Sequence, residues 1–253
     1  MFAWLKNVGT SKSEANRSNF ASVASHELRT PLSIIKWYTE ILLDEDMGPL
    51  NEDQKKYLRV IESSNERAIS LVTSLLNVSR LELDTFSVSP EPLLFTQVLE
   101  EVLKKQEKKA SNKKISIVKE ITGEELQIQL DRALTTLLIK SLLDNAIIFS
   151  KEGGEIKVSV HNTPSLLTMS VKDGGVGIKE TEKSLIFTKM FRGSNVSDES
   201  KGAGLSLYII KVLLSKLGGT LMFTSEENVG STFTLNLPTT GMSKKNGTTR
   251  LDV

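Results

Sequence analysis

The sequence has no cysteine and only two histidines, His26 and His161. Without cysteine, disulfides, zinc–thiolate sites and thiol nucleophiles are excluded, and two histidines do not suffice for a multi-histidine metal site. No apolar run reaches the roughly 18 to 20 residues that span a bilayer, and the first residues do not form a signal peptide. We therefore expect a cytoplasmic chain without a membrane span.

The chain also lacks an excess of charge of either sign, because the formal net charge is only +1. This balance gives no reason to expect binding to nucleic acid or to an anionic membrane. A hydrophobic content of 39% and a charged content of 25% are those of an ordinary globular protein. With 253 residues, the chain can form one large domain or two modest ones.

The N-terminal part shows helical periodicity without strand-like runs. Apolar residues recur at steps of three and four, which predicts helices with one buried face. The first series is Phe20, Ala24, Leu28, Pro31, Ile35, Tyr38 and Leu42, and the second is Leu58, Ile61, Ala68, Leu71, Val72, Leu75 and Val78. The segment 46–51 between them is rich in turn residues, and Asn51 with Gln54 predicts a helix N-cap. The pattern predicts an antiparallel helical hairpin.

A hairpin of two helices has no third helix to cover its apolar face. Two such hairpins form a four-helix bundle, so we expect a homodimer. The alternative is that the apolar face packs on the second half of the same chain.

From Val88 onward the pattern changes to alternating helices and strands. Helices are predicted over about 94–111, 131–149 and 203–217, and strands over about 115–121, 126–130, 155–162, 166–172, 220–225 and 231–237. We predict that the first two strands, 115–121 and 126–130, pair with each other. This order favours an α/β sandwich with helices on one face of a mixed sheet, and therefore an α+β fold class for the whole chain.

The predicted organisation has four parts. They are an N-terminal segment (1–14), the helical hairpin domain (15–87), the α/β domain (88–238) and a polar tail (239–253) that we expect to be disordered.

His26 is the first candidate for chemistry. It lies about 200° around the helix from the predicted apolar face, so it is expected to face water. A neutral imidazole is a nucleophile at neutral pH. The adjacent Glu27 can accept the ring proton, and Thr30 lies one turn further on the same face. The alternative is a surface histidine without a role.

Four segments of the second half could form a nucleotide site. Asn145 offers an amide oxygen suited to Mg²⁺, and Asp173 can accept a hydrogen bond from the adenine amino group. Arg192 can neutralise a terminal phosphate, and glycines before the last helix would expose amides to phosphate. The segments are Leu142–Ala146, Asp173–Ile178, Phe187–Arg192 and Gly202–Leu207. A dinucleotide-binding fold is not indicated, because no GxGxxG motif follows the first strand.

With these motifs in this order, the chain resembles the transmitter region of bacterial two-component sensor histidine kinases over roughly residues 15–238. Ser25 to Pro31 matches the H box of that family. The four nucleotide segments resemble its N box, first G box, F box and second G box, in that order.

The resemblance implies a dimeric phosphotransfer domain followed by a Bergerat-type ATP-binding domain. ATP with Mg²⁺ would be the phosphoryl donor, and an aspartate on a response regulator receiver domain would be the final acceptor. It implies that His26 is the phospho-acceptor, Glu27 the base and Thr30 a phosphatase residue, with Asn145 as the Mg²⁺ ligand. The expected nucleotide-binding residues are Asn145, Phe149, Asp173, Gly175, Gly177, Ile178, Phe191, Arg192, Gly202, Gly204 and Leu205.

The chain departs from the family pattern at five positions. Ile148 stands where a Lys normally reaches phosphate, a cation that Lys151 or Lys189 could replace. The other departures are Ser141 for Asn, Met190 for Phe, Phe191 for Tyr and Ser206 for Gly.

Three functions therefore compete. The first is a histidine kinase that also dephosphorylates its regulator, and the second is a weakened pseudokinase or phosphatase relay. The third, a gyrase-like ATPase, requires a Glu to activate water at the position of Ser141, and a Ser cannot act as that base at neutral pH.

Overall fold

The computed structural model describes residues 27–45, 47–195 and 202–252. The chain divides into two compact units, Met1–Thr85 and Phe86–Val253. Within the described ranges, no helix is long and apolar enough to cross a membrane.

The first unit contains two helices. The described part of α1 covers residues 27–43, and α2 covers Glu52–Glu82. At the start of α2, the side chains and backbone of Asn51 and Gln54 form the reciprocal capping box that the sequence predicts. Between the helices, Gly48 takes a φ of +117°, which a residue with a side chain rarely adopts. The predicted hairpin is confirmed, whereas His26 and the segment 1–14 lie outside the described residues.

The two helices of the hairpin are joined by a partly buried hydrogen bond. The Nδ2 of Asn65 on α2 donates to the carbonyl oxygen of Leu32 on α1 at 2.8 Å. Large apolar side chains nevertheless remain exposed along both helices: Leu28 (51%), Ile35 (43%) and Leu42 (38%) on α1, and Ile61 (47%), Leu71 (41%) and Leu75 (41%) on α2. The predicted four-helix bundle of two chains stays a prediction.

The second unit has three α-helices, seven strands and a short 3₁₀ turn among its described residues. In chain order they are β1 (Glu91–Leu94), α3 (Phe95–Asn112), β2 (Ser116–Gly123), β3 (Gln127–Leu130), α4 (Arg132–Phe149), β4 (Glu155–Asn162), β5 (Leu166–Asp173), the 3₁₀ turn (Glu180–Glu182), α5 (Ser206–Lys216), β6 (Thr220–Glu226) and β7 (Gly230–Pro238).

Five strands form a mixed sheet in the order β2-β4-β5-β7-β6. The β2–β4 pair is parallel and the other pairs are antiparallel. Along β4 and β5, fully buried apolar residues alternate with more exposed residues, so one face of the sheet is covered. The helices α3, α4 and α5 contact β2, β5 and β6, respectively. The predicted fold class is confirmed: a helical hairpin followed by an α/β domain with a mixed sheet.

The predicted pairing of the first two strands is wrong. β3 pairs with β1 in a separate two-stranded antiparallel sheet, and β2 pairs in parallel with β4. The strand β1 contains Pro92, and a proline disfavours the prediction of a strand from sequence. A proline is tolerated there because β1 has a partner on one side only.

The prediction of a disordered tail is wrong for residues 239–252. Met242 and Leu251 are 3% and 4% exposed, and residues 245 and 249 form β-bridges with Val88 and Phe86. Polar composition predicts disorder because few apolar groups are available for burial. Here two apolar side chains and backbone hydrogen bonds suffice to order the segment.

Candidate functional site

Asp173 is a buried carboxylate at the end of β5. It lies between Ile156 of β4 and Ser231 of β7 in the sheet and is only 5% exposed. The backbone N–H of Gly175 donates to its Oδ1 at 2.9 Å. Burial raises the pKa of Asp173, and the backbone N–H groups of Gly175 and Ser231 oppose that rise. The site therefore holds a hydrogen-bond acceptor that is largely shielded from solvent.

The loop after Asp173 packs directly against the last residue of α4. The N–H of Val176 donates to the carbonyl oxygen of Phe149 at 3.3 Å. A Cβ at Gly175 would overlap that same carbonyl group, so only glycine permits this approach. Asn145 lies about one turn earlier on α4 and is half-buried. The structure thus brings together Phe149, Asp173 and Gly175, with Asn145 on the same helix end.

The β6–β7 turn supports the loop from the other side. The N–H of Asn228 donates to the carbonyl of Val176 at 2.8 Å, and the N–H of Ile178 donates to Oγ of Ser225 at 2.9 Å. Gly177 lies against the backbone of Glu226 with no room for a side chain. The predicted residues Gly177 and Ile178 are therefore fixed by neighbouring backbone contacts.

Asn195 is a residue of the site that sequence reasoning missed. Its Nδ2 donates to the carbonyl oxygens of Val176 (3.3 Å) and Gly177 (3.2 Å), both in the loop after Asp173. The preceding Ser194 is held by Glu182, which accepts its N–H at 3.0 Å, and by Lys179, which donates to its Oγ at 2.8 Å. No sequence motif marks Asn195, because its partners are backbone atoms 18 and 19 residues away.

We expect Asn195→Ala to weaken the binding of ATP and of adenosine by a similar factor of about ten. The reason is that two hydrogen bonds, each contributing about 0.5 to 1.5 kcal/mol, hold the loop that would contact the base. Isothermal titration with both ligands measures this effect, with the exposed Asn112→Ala as the matched control. Unchanged affinities in Asn195→Ala would contradict the assigned role.

The predicted segments Phe187–Arg192 and Gly202–Leu207 meet at Gly204. This glycine has a φ of +67°, and a side chain on it would overlap the backbone of Met190 and Phe191. Met190 itself takes a positive φ of +58°, which is uncommon for a residue with a side chain. Arg192 follows this contact as an exposed residue, and Asn195 joins the same segment to the Asp173 loop.

The N-terminus of α5 lies at the end of the fourth segment. The helix begins at Ser206, and its N-cap residue Leu205 is 2% exposed and provides no side-chain cap. The first backbone N–H groups of such a helix suit an anion. Gly202 is exposed, and among the described residues no atom lies within 4 Å of the position that a Cβ would take on it. Lys189 and Lys151 are the two lysines that could replace the cation missing at Ile148. The Nζ of Lys189 lies 5.3 Å from the ring centroid of Tyr208 on α5, and the Nζ of Lys151 donates to the carbonyl oxygen of Asn228 at 3.2 Å.

Lys113 is a second residue that the sequence did not indicate. Its Nζ donates to the carbonyls of Ile147 (2.9 Å) and Ile148 (2.6 Å), close to the end of α4. A cation there complements the negative end of the helix dipole. Partial burial lowers the pKa of Lys113. Lys113 therefore stabilises the end of the helix whose last residue touches the Asp173 loop.

The hairpin carries the remaining predicted residues. Glu27 and Thr30 are exposed on α1. Their neighbour His26 lies outside the described residues, so its predicted exposure stays a prediction.

The residues present fit ATP and a magnesium ion by their chemistry. Asp173 offers a buried acceptor, the glycine loop offers close backbone approach, and α5 offers an uncapped N-terminus. Within the described ranges, no cluster of three or more His, Asp and Glu residues could hold a metal. A divalent cation would thus rely on the amide oxygen of Asn145 together with phosphate oxygens, as Mg²⁺ commonly does.

Two family models match the chain. The His Kinase A (phospho-acceptor) domain matches residues 16–84, and the Histidine kinase-, DNA gyrase B-, and HSP90-like ATPase matches residues 129–241.

Three histidine kinases are similar to this chain in sequence or in fold. The sensor histidine kinase WalK of Bacillus subtilis is 27% identical over 90% of this chain and 37% of its own length. The solved structure of the histidine kinase AdeS of Acinetobacter baumannii has a TM-score of 0.58 and 26% identity, covering 85% of this chain and 98% of that one. The histidine kinase ThkA, solved in complex with the response regulator protein TrrA, has a similar fold, with a TM-score of 0.61 and 24% identity over 91% of this chain and 66% of that one.

The chain spans about a third of the length of the curated relatives it matches. Its two matched domains follow each other in the order of a transmitter region, the phospho-acceptor domain first and the ATPase domain second. The chain therefore contains, in this order, the phospho-acceptor and ATPase domains of a two-component histidine kinase transmitter region.

Proposed function

We propose that this chain is an ATP-dependent protein histidine kinase that phosphorylates its own His26 and passes the phosphoryl group to an aspartate of a response regulator. The observation that carries the proposal is the buried carboxylate of Asp173, which lies on a glycine loop packed against the end of α4. That arrangement belongs to the same chain as a phospho-acceptor domain containing His26.

The nucleotide base is assigned to Asp173. An ionised carboxylate only accepts hydrogen bonds, so it can take an N–H of the adenine amino group and disfavours the carbonyl oxygen of guanine. The backbone N–H of Gly175 orients the carboxylate by donating to its Oδ1 at 2.9 Å. Phe149, Gly175, Gly177 and Ile178 are proposed to line the base, as parts of the same loop and helix end.

The phosphates are assigned to the segments that meet at Gly204. The uncapped start of α5, with Gly202, Gly204 and Leu205, supplies backbone N–H groups in the favourable end of the helix dipole. Phe191 and Arg192 precede these residues, and Arg192 is the proposed contact of the terminal phosphate. Asn145 is the proposed ligand of Mg²⁺, which when bound would neutralise phosphate charge.

The transfer step is a nucleophilic displacement at phosphorus. The unprotonated ring nitrogen of His26 attacks the γ-phosphorus, the bond from that phosphorus to the bridging oxygen breaks, and ADP leaves. Glu27 accepts the proton of the other ring nitrogen, so the product is a neutral phosphohistidine ring. Thr30, one turn away, is proposed to position water when the regulator is dephosphorylated.

The chain is proposed to act as a homodimer through the hairpin. Leu28, Ile35 and Leu42 lie seven residues apart on α1 and are each at least 38% exposed. Such a spacing repeats every two helical turns, so the three side chains form one apolar stripe. A second hairpin would cover that stripe in a four-helix bundle. The expected partner is a response regulator receiver domain, a proposal supported by the complex of ThkA with TrrA.

The proposed function predicts a specific product when the chain is incubated with γ-labelled ATP and Mg²⁺. Label should be incorporated into the protein at a bond that is labile in acid and stable in alkali, because the phosphoryl group is on nitrogen. Electrophoresis after acid or alkali treatment measures it. A gyrase-like ATPase would release free phosphate without labelled protein, and a pseudokinase would show neither, so either result would contradict the proposal.

A further inference from the structure

One asparagine of the chain is directly followed by glycine, namely Asn246 before Gly247. The ATPase family model ends at residue 241, so this pair lies beyond the matched domain. Both residues are exposed to solvent. The side-chain amide of an asparagine can be attacked by the backbone nitrogen of the next residue, and glycine obstructs this approach least because it has no Cβ. The pair is therefore the position in this sequence where the chemistry of such an attack is most favourable.

The two groups that would react are not held by hydrogen bonds. Among the described residues, neither the side-chain amide of Asn246 nor the backbone N–H of Gly247 has a hydrogen-bond partner. Asn112 is the contrasting case. It is also exposed, but the N–H of the following Lys113 donates to the carbonyl of Ala110 at 3.1 Å. The attacking nitrogen is thus available after Asn246 and engaged after Asn112.

The fold of the second unit requires glycine at position 247. A Cβ on Gly247 would overlap the backbone of Phe86 and Ser87. That backbone is itself fixed, because the N–H of Ser87 donates to the carbonyl of Thr249 at 2.9 Å and Phe86 is buried. The packing therefore keeps, directly after Asn246, the residue type that makes this asparagine reactive.

We propose that Asn246 is a site of spontaneous deamidation. The backbone nitrogen of Gly247 forms a bond to Cγ of Asn246, and the bond from Cγ to the side-chain nitrogen breaks. The proton of the Gly247 N–H leaves with that nitrogen as ammonia, and a cyclic succinimide remains. Water then adds to either ring carbonyl and opens the ring. One opening gives aspartate, and the other gives isoaspartate, in which the backbone runs through Cβ and Cγ.

The isoaspartate product does not fit the backbone pairing on both sides of residue 246. Lys245 exchanges two backbone hydrogen bonds with Val88 (2.9 and 3.0 Å), and Thr249 accepts the N–H of Ser87 (2.9 Å). Isoaspartate lengthens the backbone between these two pairings by one bond of about 1.5 Å. The two pairings then cannot both keep their geometry, whereas an ordinary aspartate adds charge and no backbone length.

The test is peptide mapping by mass spectrometry after the whole chain has been incubated at mildly alkaline pH in water enriched in heavy oxygen. We expect the peptide with Asn246 to lose the amide nitrogen, to gain heavy oxygen from water and to separate into aspartate and isoaspartate forms. Asn112 should stay unmodified during the time in which most of Asn246 is converted. Asn246→Gln is the matched control and should show no conversion, because its longer side chain would have to close a larger ring.

Thermal unfolding measures the consequence of the modification. The incubated chain should melt a few degrees lower than the fresh chain, because the isoaspartate form loses backbone hydrogen bonds of Lys245 or Thr249. Two variants should keep the melting temperature of the fresh chain. They are Asn246→Gln after the same incubation, and fresh Asn246→Asp, which has the charge of the product without the added backbone bond.

An amide that persists at Asn246, or conversion that is equally fast at Asn112, would overturn the proposal. An unchanged melting temperature in a chain that has accumulated isoaspartate would overturn the structural consequence. Neither measurement uses ATP, so failure of the proposed kinase activity would leave both results decisive.

Discussion

Replacement of His26 by glutamine is expected to reduce labelling of the protein by γ-labelled ATP to background. Glutamine has a similar length and can form hydrogen bonds, but it has no nitrogen lone pair that can act as a nucleophile at neutral pH. ATP affinity should not change, because every residue proposed to contact the nucleotide lies in the second unit. The measurement is label incorporation at saturating ATP, together with a binding titration on the same variant.

The chain offers a matched control, since His161 is its only other histidine. His161 lies on β4, where its Nδ1 is 3.0 Å from Oγ1 of Thr122. His161→Gln should retain full labelling. Label that persists in His26→Gln and disappears in His161→Gln would transfer the phospho-acceptor role to the second histidine and would end the assignment to the H box.

Periodicity in the sequence predicts the helices and most strands because each element buries one face. The 3.6-residue pattern defines α2 and α4 to within a few residues, and alternation defines β4 and β5. The pairing of β2 and β3 could not be read in this way, because pairing depends on partners distant in sequence. Ser116 pairs with Glu155, and Gln127 pairs with Leu94.

In the candidate site, too, local sequence predicts some residues, whereas others depend on partners distant in sequence. Asp173 and Gly175 are marked by local sequence, since a carboxylate before glycines is typical of a tight loop. Asn195 and Lys113 are not marked, because each acts on carbonyl groups that every residue possesses. Composition does not predict the order of residues 239–252 for a related reason, because backbone pairing of residues 245 and 249 with Val88 and Phe86 does not depend on their side chains.

Asp173→Asn is expected to weaken ATP binding by about 10- to 100-fold while leaving the protein folded. A hydrogen bond to a charged group contributes about 1.5 to 3 kcal/mol, and the neutral amide offers at best a weaker acceptor. The exposed Asp53→Asn on α2 is the matched control. ATP affinity that is the same in both variants would place the base elsewhere.

The raised pKa of Asp173 makes two further outcomes testable, and they have opposite signs. The acceptor role requires the ionised form, so the ATP affinity of the unaltered chain should fall as the pH decreases through that raised pKa, and this dependence should disappear in Asp173→Asn. The folded state, in contrast, binds the proton of Asp173 more tightly than the unfolded state, because burial is the largest cause of the shift. Ionised Asp173 therefore destabilises the fold at neutral pH, and this penalty is relieved as the pH falls.

It follows that Asp173→Asn should raise the melting temperature at neutral pH while it weakens ATP binding. If the role of Asp173 were purely structural, Asp173→Asn would lower the melting temperature and the ATP affinity together. Thermal unfolding at neutral pH and at a mildly acidic pH, measured beside the ATP titrations, separates the two cases: the gain in melting temperature over the unaltered chain should shrink as the pH decreases. A lower melting temperature in Asp173→Asn would mean that the carboxylate supports the loop through Gly175 and Ser231 more than its burial opposes folding, and Asp173 would then be a structural residue of the loop.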